Sequence, residues 1–81
     1  MTTYRNDRGE DVELTRGEGF IVEWQTRMLG GFFSNLALTL AYADEDNLAL
    51  LELAFPDEAR AMREWKTGNL NTQLKAKGFE L

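Results

Sequence analysis

A single proline, Pro56, constrains the fold of this chain most, because it separates two segments that each have helical periodicity. Proline lacks a backbone N–H and clashes with the preceding turn, so it ends one helix but fits the first position of the next. Before it, Leu48, Leu51 and Phe55 share one helical face. A second apolar face carries Leu50, Leu53 and Ala54. We therefore predict two consecutive helices that meet at Pro56.

Acidic residues mark where both helices start. Asp44 or Asp46 can cap the first helix, and Asp57 and Glu58 fall in the first turn of the second. Such contacts contribute about 0.3 to 2 kcal/mol each, and we favour this structural role for the acids. The second helix continues with bases and a glycine stop: Arg60, Arg63, Lys66 and Gly68.

The segment FFSNLALTLAYA, before these two helices, predicts a central helix because its apolar surface is unusually wide. Gly30 and Gly31 precede it and indicate a helix end, a kink or a close helix crossing. A last short helix is expected through Leu70 and Leu74 to Gly78. Its candidate caps are Asn69 and Asn71.

The N-terminal part allows two interpretations. Residues 1–18 form a polar arm that is either loose or holds a short strand at residues 12–14, and residues 19–81 form a helical domain. Ile21, Trp24 and Met28 have helical spacing, which predicts a first helix from about Gly19. Alternation at residues 20, 22 and 24 favours instead a strand that pairs with residues 12–14.

These patterns together predict a mainly α fold, a compact bundle of four to five short helices with a short N-terminal β-hairpin as an optional element. Trp24, Trp65 and Met62 have the register of core residues. A chain of 81 residues has room for one small core, so its stability alone is expected to be marginal.

Composition argues against catalysis. The chain contains no cysteine and no histidine, which removes the commonest nucleophile, general base and transition-metal ligand. Ser34 and Thr39 have no evident base to activate them. The segment at Asp44 lacks the glycine and terminal glutamate of a calcium-binding EF-hand. We therefore expect no enzyme activity, no metal and no cofactor.

Charge and hydropathy limit the partners. No apolar run approaches the roughly 20 residues that span a bilayer, and the N-terminus is too polar for a signal peptide, so we expect a cytoplasmic protein without membrane contact. A net charge of −5 disfavours direct nucleic-acid binding. The bases Arg60, Arg63 and Lys66 on one helical flank keep a nucleic-acid-binding regulator as a third hypothesis.

The stretch from Gly30 to Leu70, with the pattern D-x-x-N-L-x-x-L, then F-P-D-E, a tryptophan and T-G, resembles short helical proteins of bacteriophages and other bacterial mobile elements. Small acidic phage proteins include inhibitors of host defence, notably anti-CRISPR proteins. The resemblance covers about half of the chain and implies inhibition by binding in a bacterial host cell, without catalysis.

Two functional hypotheses follow. The first is an anti-CRISPR-like inhibitor whose acids cover a basic surface of a host protein or ribonucleoprotein complex. The predicted partner-binding residues are Asp44, Glu45, Asp46, Asp57, Glu58, Glu10, Asp11 and Glu13. The alternative is a structural or assembly protein of a virion or mobile element, in which Leu50, Leu53 and Phe55 drive formation of a homodimer or larger homo-oligomer.

Overall fold

The structure is a computed structural model that describes all residues, 1–81, and it confirms a mainly α fold with an N-terminal hairpin. Two antiparallel strands precede five helices. The elements are β1 (Thr2–Arg5), β2 (Asp11–Leu14), α1 (Arg16–Gln25), α2 (Gly31–Tyr42), α3 (Glu45–Ala54), α4 (Pro56–Lys66) and α5 (Asn69–Ala76).

Helix α4 is the centre of the bundle, and α1, α2, α3 and α5 all pack against it. Its buried residues Ala59, Ala61 and Met62 are small or flexible, which lets the neighbouring helices approach closely. Helix α1 comes nearest at Gly17, where an added Cβ would lie 2.8 Å from the carbonyl oxygen of Asp57. The α1–α4 crossing therefore requires glycine at this position.

Helix α1 begins at Arg16, three residues before the predicted start, and the alternative of a strand over residues 20–24 is wrong. Thr15 and Glu18 form a capping box, in which each side chain bonds the backbone N–H of the other. Helix α1 ends before Met28, which is 73% exposed instead of lying in the core register. The helical spacing at Met28 is thus coincidental.

The predicted strand at residues 12–14 is confirmed as part of β2, but its partner is β1, with Thr2 opposite Leu14. Asn6 stabilises the connecting turn, and its buried side-chain amide donates to the carbonyl oxygen of Lys77 at 2.8 Å. Phe79 is buried nearby. The N-terminal hairpin is therefore attached to the C-terminal residues, and the predicted boundary at 18/19 falls inside α1.

In the second half of the chain, the predicted starting residues are confirmed for α3 and α4, and the predicted asparagine cap of α5 is wrong. Asp44 caps α3, and Pro56 is the first residue of α4. Gly68, with φ 87°, precedes α5 in place of an asparagine cap. Gly30 and Gly31 start α2, so they neither end a helix nor mark a close crossing: no atom lies within 4 Å of either missing Cβ.

Core assignments are confirmed for Met62, which is fully buried. Trp24 and Trp65 are half-buried and pack against the core, with their rings in an edge-to-face arrangement 6.2 Å apart. Edge-to-face pairs of this kind add to the stabilisation that comes from burial alone. The two tryptophans thus join the C-terminal ends of α1 and α4.

Candidate functional site

The predicted acidic ridge at the start of α3 is largely engaged within the fold. The Asp44 carboxylate accepts the backbone N–H of Asn47 at 2.8 Å, as an N-cap does. The Glu45 carboxylate pairs with the Arg63 guanidinium at 2.9 Å. Asp46 is exposed and forms no side-chain hydrogen bond or ion pair. Only Asp46 is therefore a free carboxylate in this group.

At the start of α4, the expectation that Glu58 projects outward is wrong, because its side chain is only 3% exposed. Glu58 lies on the α4 face that packs against α1, and its carboxylate accepts a hydrogen bond from Nε of Arg16 at 2.8 Å. Asp57 is exposed, as predicted. The second acidic group therefore offers one free carboxylate instead of two.

The three acids of the N-terminal arm lie on the hairpin and are exposed. Glu10 pairs with Arg8 at 2.9 Å, and Asp11 pairs with Arg5 at 3.4 Å. Glu13 accepts a hydrogen bond from a threonine hydroxyl of β1. The hairpin acids are therefore separate from the acids of α3 and have partners of their own.

Glu52, which the sequence analysis did not single out, joins α3 to α4. Its carboxylate binds Arg63 at 2.6 Å and Arg60 at 3.1 Å. Hydrogen bonds from Arg63 and then Arg60 lower the pKa of Glu52. Lys66 donates to the carbonyl oxygen of Ala43 at 3.1 Å. All three bases of the proposed nucleic-acid-binding flank are therefore engaged by groups of the same chain.

Large apolar side chains remain exposed on α2 and α3. Leu38 and Tyr42 are one helical turn apart on α2 and are 48% and 86% exposed. Leu50 and Leu53 are one turn apart on α3 and are 64% and 83% exposed. We call these four residues the apolar face. Tyr42 and Leu50 line one groove between the two helices, and Leu38 borders a separate hollow with Arg27.

A groove between α2 and α3 lies next to the apolar face and has a volume of about 520 Å³. Its walls are mostly apolar, with Leu51 and Ala54 on the α3 side. The lining residues are Thr39, Tyr42, Ala43, Asn47, Leu50, Leu51 and Ala54. At the opposite ends of the two helices, the ring of Phe32 lies 6.0 Å from that of Phe55. We call this feature the α2–α3 groove.

The surroundings of the α2–α3 groove carry acids but no bases of their own. No lysine or arginine occurs between Arg27 and Arg60, so α2 and α3 contain none. One end of the groove combines the carboxylates of Asp44 and Asp46 with the C-terminus of α2, where carbonyl groups carry partial negative charge. Lys66 reaches this end through the carbonyl oxygen of Ala43 and Arg63 reaches it through Glu45, so Asp46 is the negative charge that remains free there.

A second cleft, of about 490 Å³, lies between the hairpin, α1 and the start of α2. The Tyr4 hydroxyl donates to Oε2 of Glu23 at 2.7 Å. Burial, and then the hydrogen bond and charge of Glu23, raise the pKa of Tyr4 to about 12. A phenol that holds its proton so firmly is a poor general base at neutral pH. The cleft thus holds an internal hydrogen bond that stabilises the hairpin against α1.

Comparison with known proteins gives no relative: no family model, curated protein or solved structure matches the chain. No group of three or more acidic side chains converges as metal ligands do. No helix has the length and apolar character needed to cross a membrane.

The sequence analysis identified part of this site. It placed Leu50, Leu53 and Ala54 on a second face of α3, and the structure leaves that face exposed. It did not predict that Tyr42 is exposed, because the wide apolar surface of α2 is typical of a helix that is buried on every side. The polar residues Asn35 and Thr39, which share the exposed side of α2, were the available signal.

Proposed function

We propose that this protein is a non-catalytic binding protein whose apolar face covers a surface of another protein. The observation that carries the proposal is the exposure of Leu38, Tyr42, Leu50 and Leu53 on two helices that share an apolar groove, which Tyr42 and Leu50 line. Contiguous exposed apolar patches of this kind mark interaction sites. The internal pairing of most candidate acids makes the apolar face, rather than an acidic ridge, the principal contact surface.

The biological setting that we propose is inhibition of a host defence complex, with the protein acting as an anti-CRISPR-like inhibitor of phage type. Two features support this setting: the pattern between Gly30 and Leu70, and the net charge of −5. An acidic binding protein is attracted to the basic surfaces with which nucleic-acid-handling complexes hold their substrates. Among the predicted partner-binding acids, Asp46 and Asp57 are exposed without an internal partner and contribute to this attraction.

The test compares the wild type with the double variant Leu50→Gln/Leu53→Gln. Glutamine and leucine have similar helix propensities, so α3 is expected to form in both proteins. The tagged proteins are cross-linked in a bacterial host that carries an active CRISPR system, and bound proteins are identified by mass spectrometry. Interference with a targeted plasmid is measured in the same cells. We expect the wild type to capture one host complex and restore the plasmid, and the double variant to do neither.

Met28→Gln is the matched control, because it replaces an exposed apolar residue outside the apolar face. It is expected to behave like the wild type in capture and in plasmid survival. Circular dichroism melting curves verify that all three proteins are folded. Equal capture by the wild type and the folded double variant contradicts the proposed binding face. Capture of a host complex while the targeted plasmid is still lost contradicts the inhibitory role alone.

A second candidate function is assembly through self-association, which the exposure of Leu50 and Leu53 favours. Phe55, the third residue of that hypothesis, is half-buried and lies against Phe32. Light scattering coupled to gel filtration separates this candidate from the first. A mass that is a multiple of 9.3 kDa and that falls to one chain in Leu50→Gln/Leu53→Gln supports assembly.

A further inference from the structure

We infer that the α2–α3 groove takes a partner segment of defined chemistry: an amphipathic helix with apolar residues along one face and a lysine or arginine at one end. This inference rests on the proposed binding function and specifies what is bound. Helix-in-groove recognition uses apolar anchors at i, i+3, i+4 and i+7 in a groove between two helices. The α2–α3 groove has the walls, the length and the charge for such a ligand.

The dimensions of the groove fit a short helix. The lining residues run from Thr39 to Ala43 at the end of α2 and from Asn47 to Ala54 on α3, so the walls are about 6 and about 11 Å long. About two turns of a helix cover the longer wall. Leu51 and Ala54 provide apolar contact within the groove, while Tyr42 and Leu50 stand at its rim. The partner's anchors would therefore be enclosed from both sides.

Charge determines which amphipathic helix is preferred. The free carboxylate of Asp46 gives one end of the groove a negative charge, while Asp44 caps α3 and Lys66 binds the carbonyl oxygen of Ala43. No base lies on either wall, because α2 and α3 contain no lysine or arginine. A basic side chain at this end gains attraction to Asp46, which has no internal partner. An acidic helix with the same apolar face is repelled.

A second copy of this chain is the less favourable occupant. It offers apolar residues from its own α2 and α3, but α3 carries acids and neither helix carries a base. Each copy has a net charge of −5, so the two copies repel one another at low ionic strength. A basic partner helix gains from the same charges that oppose self-association.

Two synthetic peptides test the inference with the full chain. The probe is a leucine–lysine amphipathic helix of about 14 residues, about 21 Å long. The comparison peptide has the same leucines, with glutamate in place of every lysine. Binding is measured by titration with NMR detection of the backbone amides. We expect the lysine peptide to shift the amide signals of α2 and α3, and the glutamate peptide to bind at least about tenfold more weakly.

Variants locate the site. Leu50→Gln is expected to weaken lysine-peptide binding by about tenfold, because an apolar contact of the groove is lost. Asp46→Asn is expected to weaken it by about two- to fivefold, the range of an exposed ion pair, with the effect disappearing in high salt. Met28→Gln is expected to leave the affinity unchanged.

Several results would overturn the inference. They include no binding of the lysine peptide, equal binding of both peptides, and shifts confined to the hairpin, α1 or α5. A dimer that forms through Leu50 and Leu53 and excludes the peptide identifies a second copy as the occupant. The capture experiment uses no peptide, so a failed titration with intact capture rejects the helix ligand alone. If the wild type and the folded double variant capture the same host proteins equally well, the proposed function itself is rejected.

Discussion

The α1–α4 crossing gives the sharpest prediction for stability, through the substitution Gly17→Ala. The new Cβ would lie 2.8 Å from the Asp57 carbonyl oxygen and 2.9 Å from Ala61 Cβ, well inside ordinary contact distance. The carbonyl group belongs to the backbone of α4 and cannot rotate away, so the two helices must separate. Overpacking of this kind costs about 1 to 3 kcal/mol. The higher helix propensity of alanine offsets at most about 1 kcal/mol.

We therefore expect Gly17→Ala to lower the free energy of unfolding by about 1 to 2 kcal/mol. For a domain of this size, that corresponds to a melting temperature about 4 to 16 °C lower. The assay is thermal unfolding followed by far-ultraviolet circular dichroism, with urea denaturation as a second measurement. A variant that melts at or above the wild-type temperature refutes the close-packing argument.

The matched control is Gly31→Ala, the same change at the start of α2, where no atom lies within 4 Å of the missing Cβ. Alanine at such a site restricts the unfolded chain and is expected to stabilise the fold by about 0.4 to 1 kcal/mol. Ala61→Gly, combined with Gly17→Ala, removes one of the two close contacts. A double-mutant cycle should then show that the two sites are coupled. If Gly17→Ala lowers the melting temperature and Gly31→Ala raises it, then contact geometry, rather than glycine content, controls the stability.

Two further predictions concern titration. Burial alone raises the pKa of Glu18, but hydrogen bonds from Lys77 and Thr15 outweigh it and lower the pKa below 4.5. Glu18 therefore stabilises the fold above pH 4.5 and loses this effect as the pH falls through its lowered pKa. Glu18→Gln should therefore make the melting temperature depend less on pH in the acid range. An equal pH dependence in the wild type and the variant contradicts this role of Glu18. The pKa of Tyr4 is raised to about 12, so stability should fall as the pH rises from 10 through that value. Glu23→Gln should lower the pKa of Tyr4, as measured by tyrosinate absorbance, and an unchanged titration curve would exclude Glu23 as a cause.

Helix termini could be predicted where a single residue carries the physical reason. Pro56 and Asp44 are confirmed because a missing N–H and a capping carboxylate act on the nearest turn only. The start of α1 was predicted three residues late because the hydrophobic spacing begins only after Gly19, whereas the T-x-x-E pattern at Thr15 marks the true start. This pattern is present in the sequence, so the start of α1 could have been predicted correctly from local signals.

Tertiary placement could not be predicted from local signals. Glu58 has the sequence context of an exposed first-turn acid, but α1 covers that side of α4 and Arg16 supplies its partner. The strand partner of β2 is β1, which lies across a turn stabilised by Asn6 and attached to the C-terminal residues. These contacts depend on how elements distant in sequence are arranged, and periodicity carries no information about that arrangement.

The acids of α3 illustrate how the fold changes the meaning of a charge pattern. Six acids and no base occupy residues 44–59, which suggests an acidic surface. In the structure, the antiparallel neighbour α4 supplies Arg60 and Arg63, and these bind Glu52 and Glu45. Most of the negative charge is thus neutralised on the side where α3 meets α4. What remains is Asp46, next to the exposed leucines of the opposite side.

The free energy gained by burying the leucines of the apolar face limits which ligands can bind there. Complete burial of a leucine contributes about 1.5 to 3 kcal/mol, so Leu38, Leu50 and Leu53 together contribute at most about 5 to 9 kcal/mol. Association costs about 4 to 15 kcal/mol in lost translational and rotational freedom, so the leucines alone support only weak binding. A useful affinity therefore needs additional attraction, and the unpaired charge beside Leu50 and Leu53 is the carboxylate of Asp46. The physical argument thus favours a partner that is both apolar and basic over one that is apolar alone.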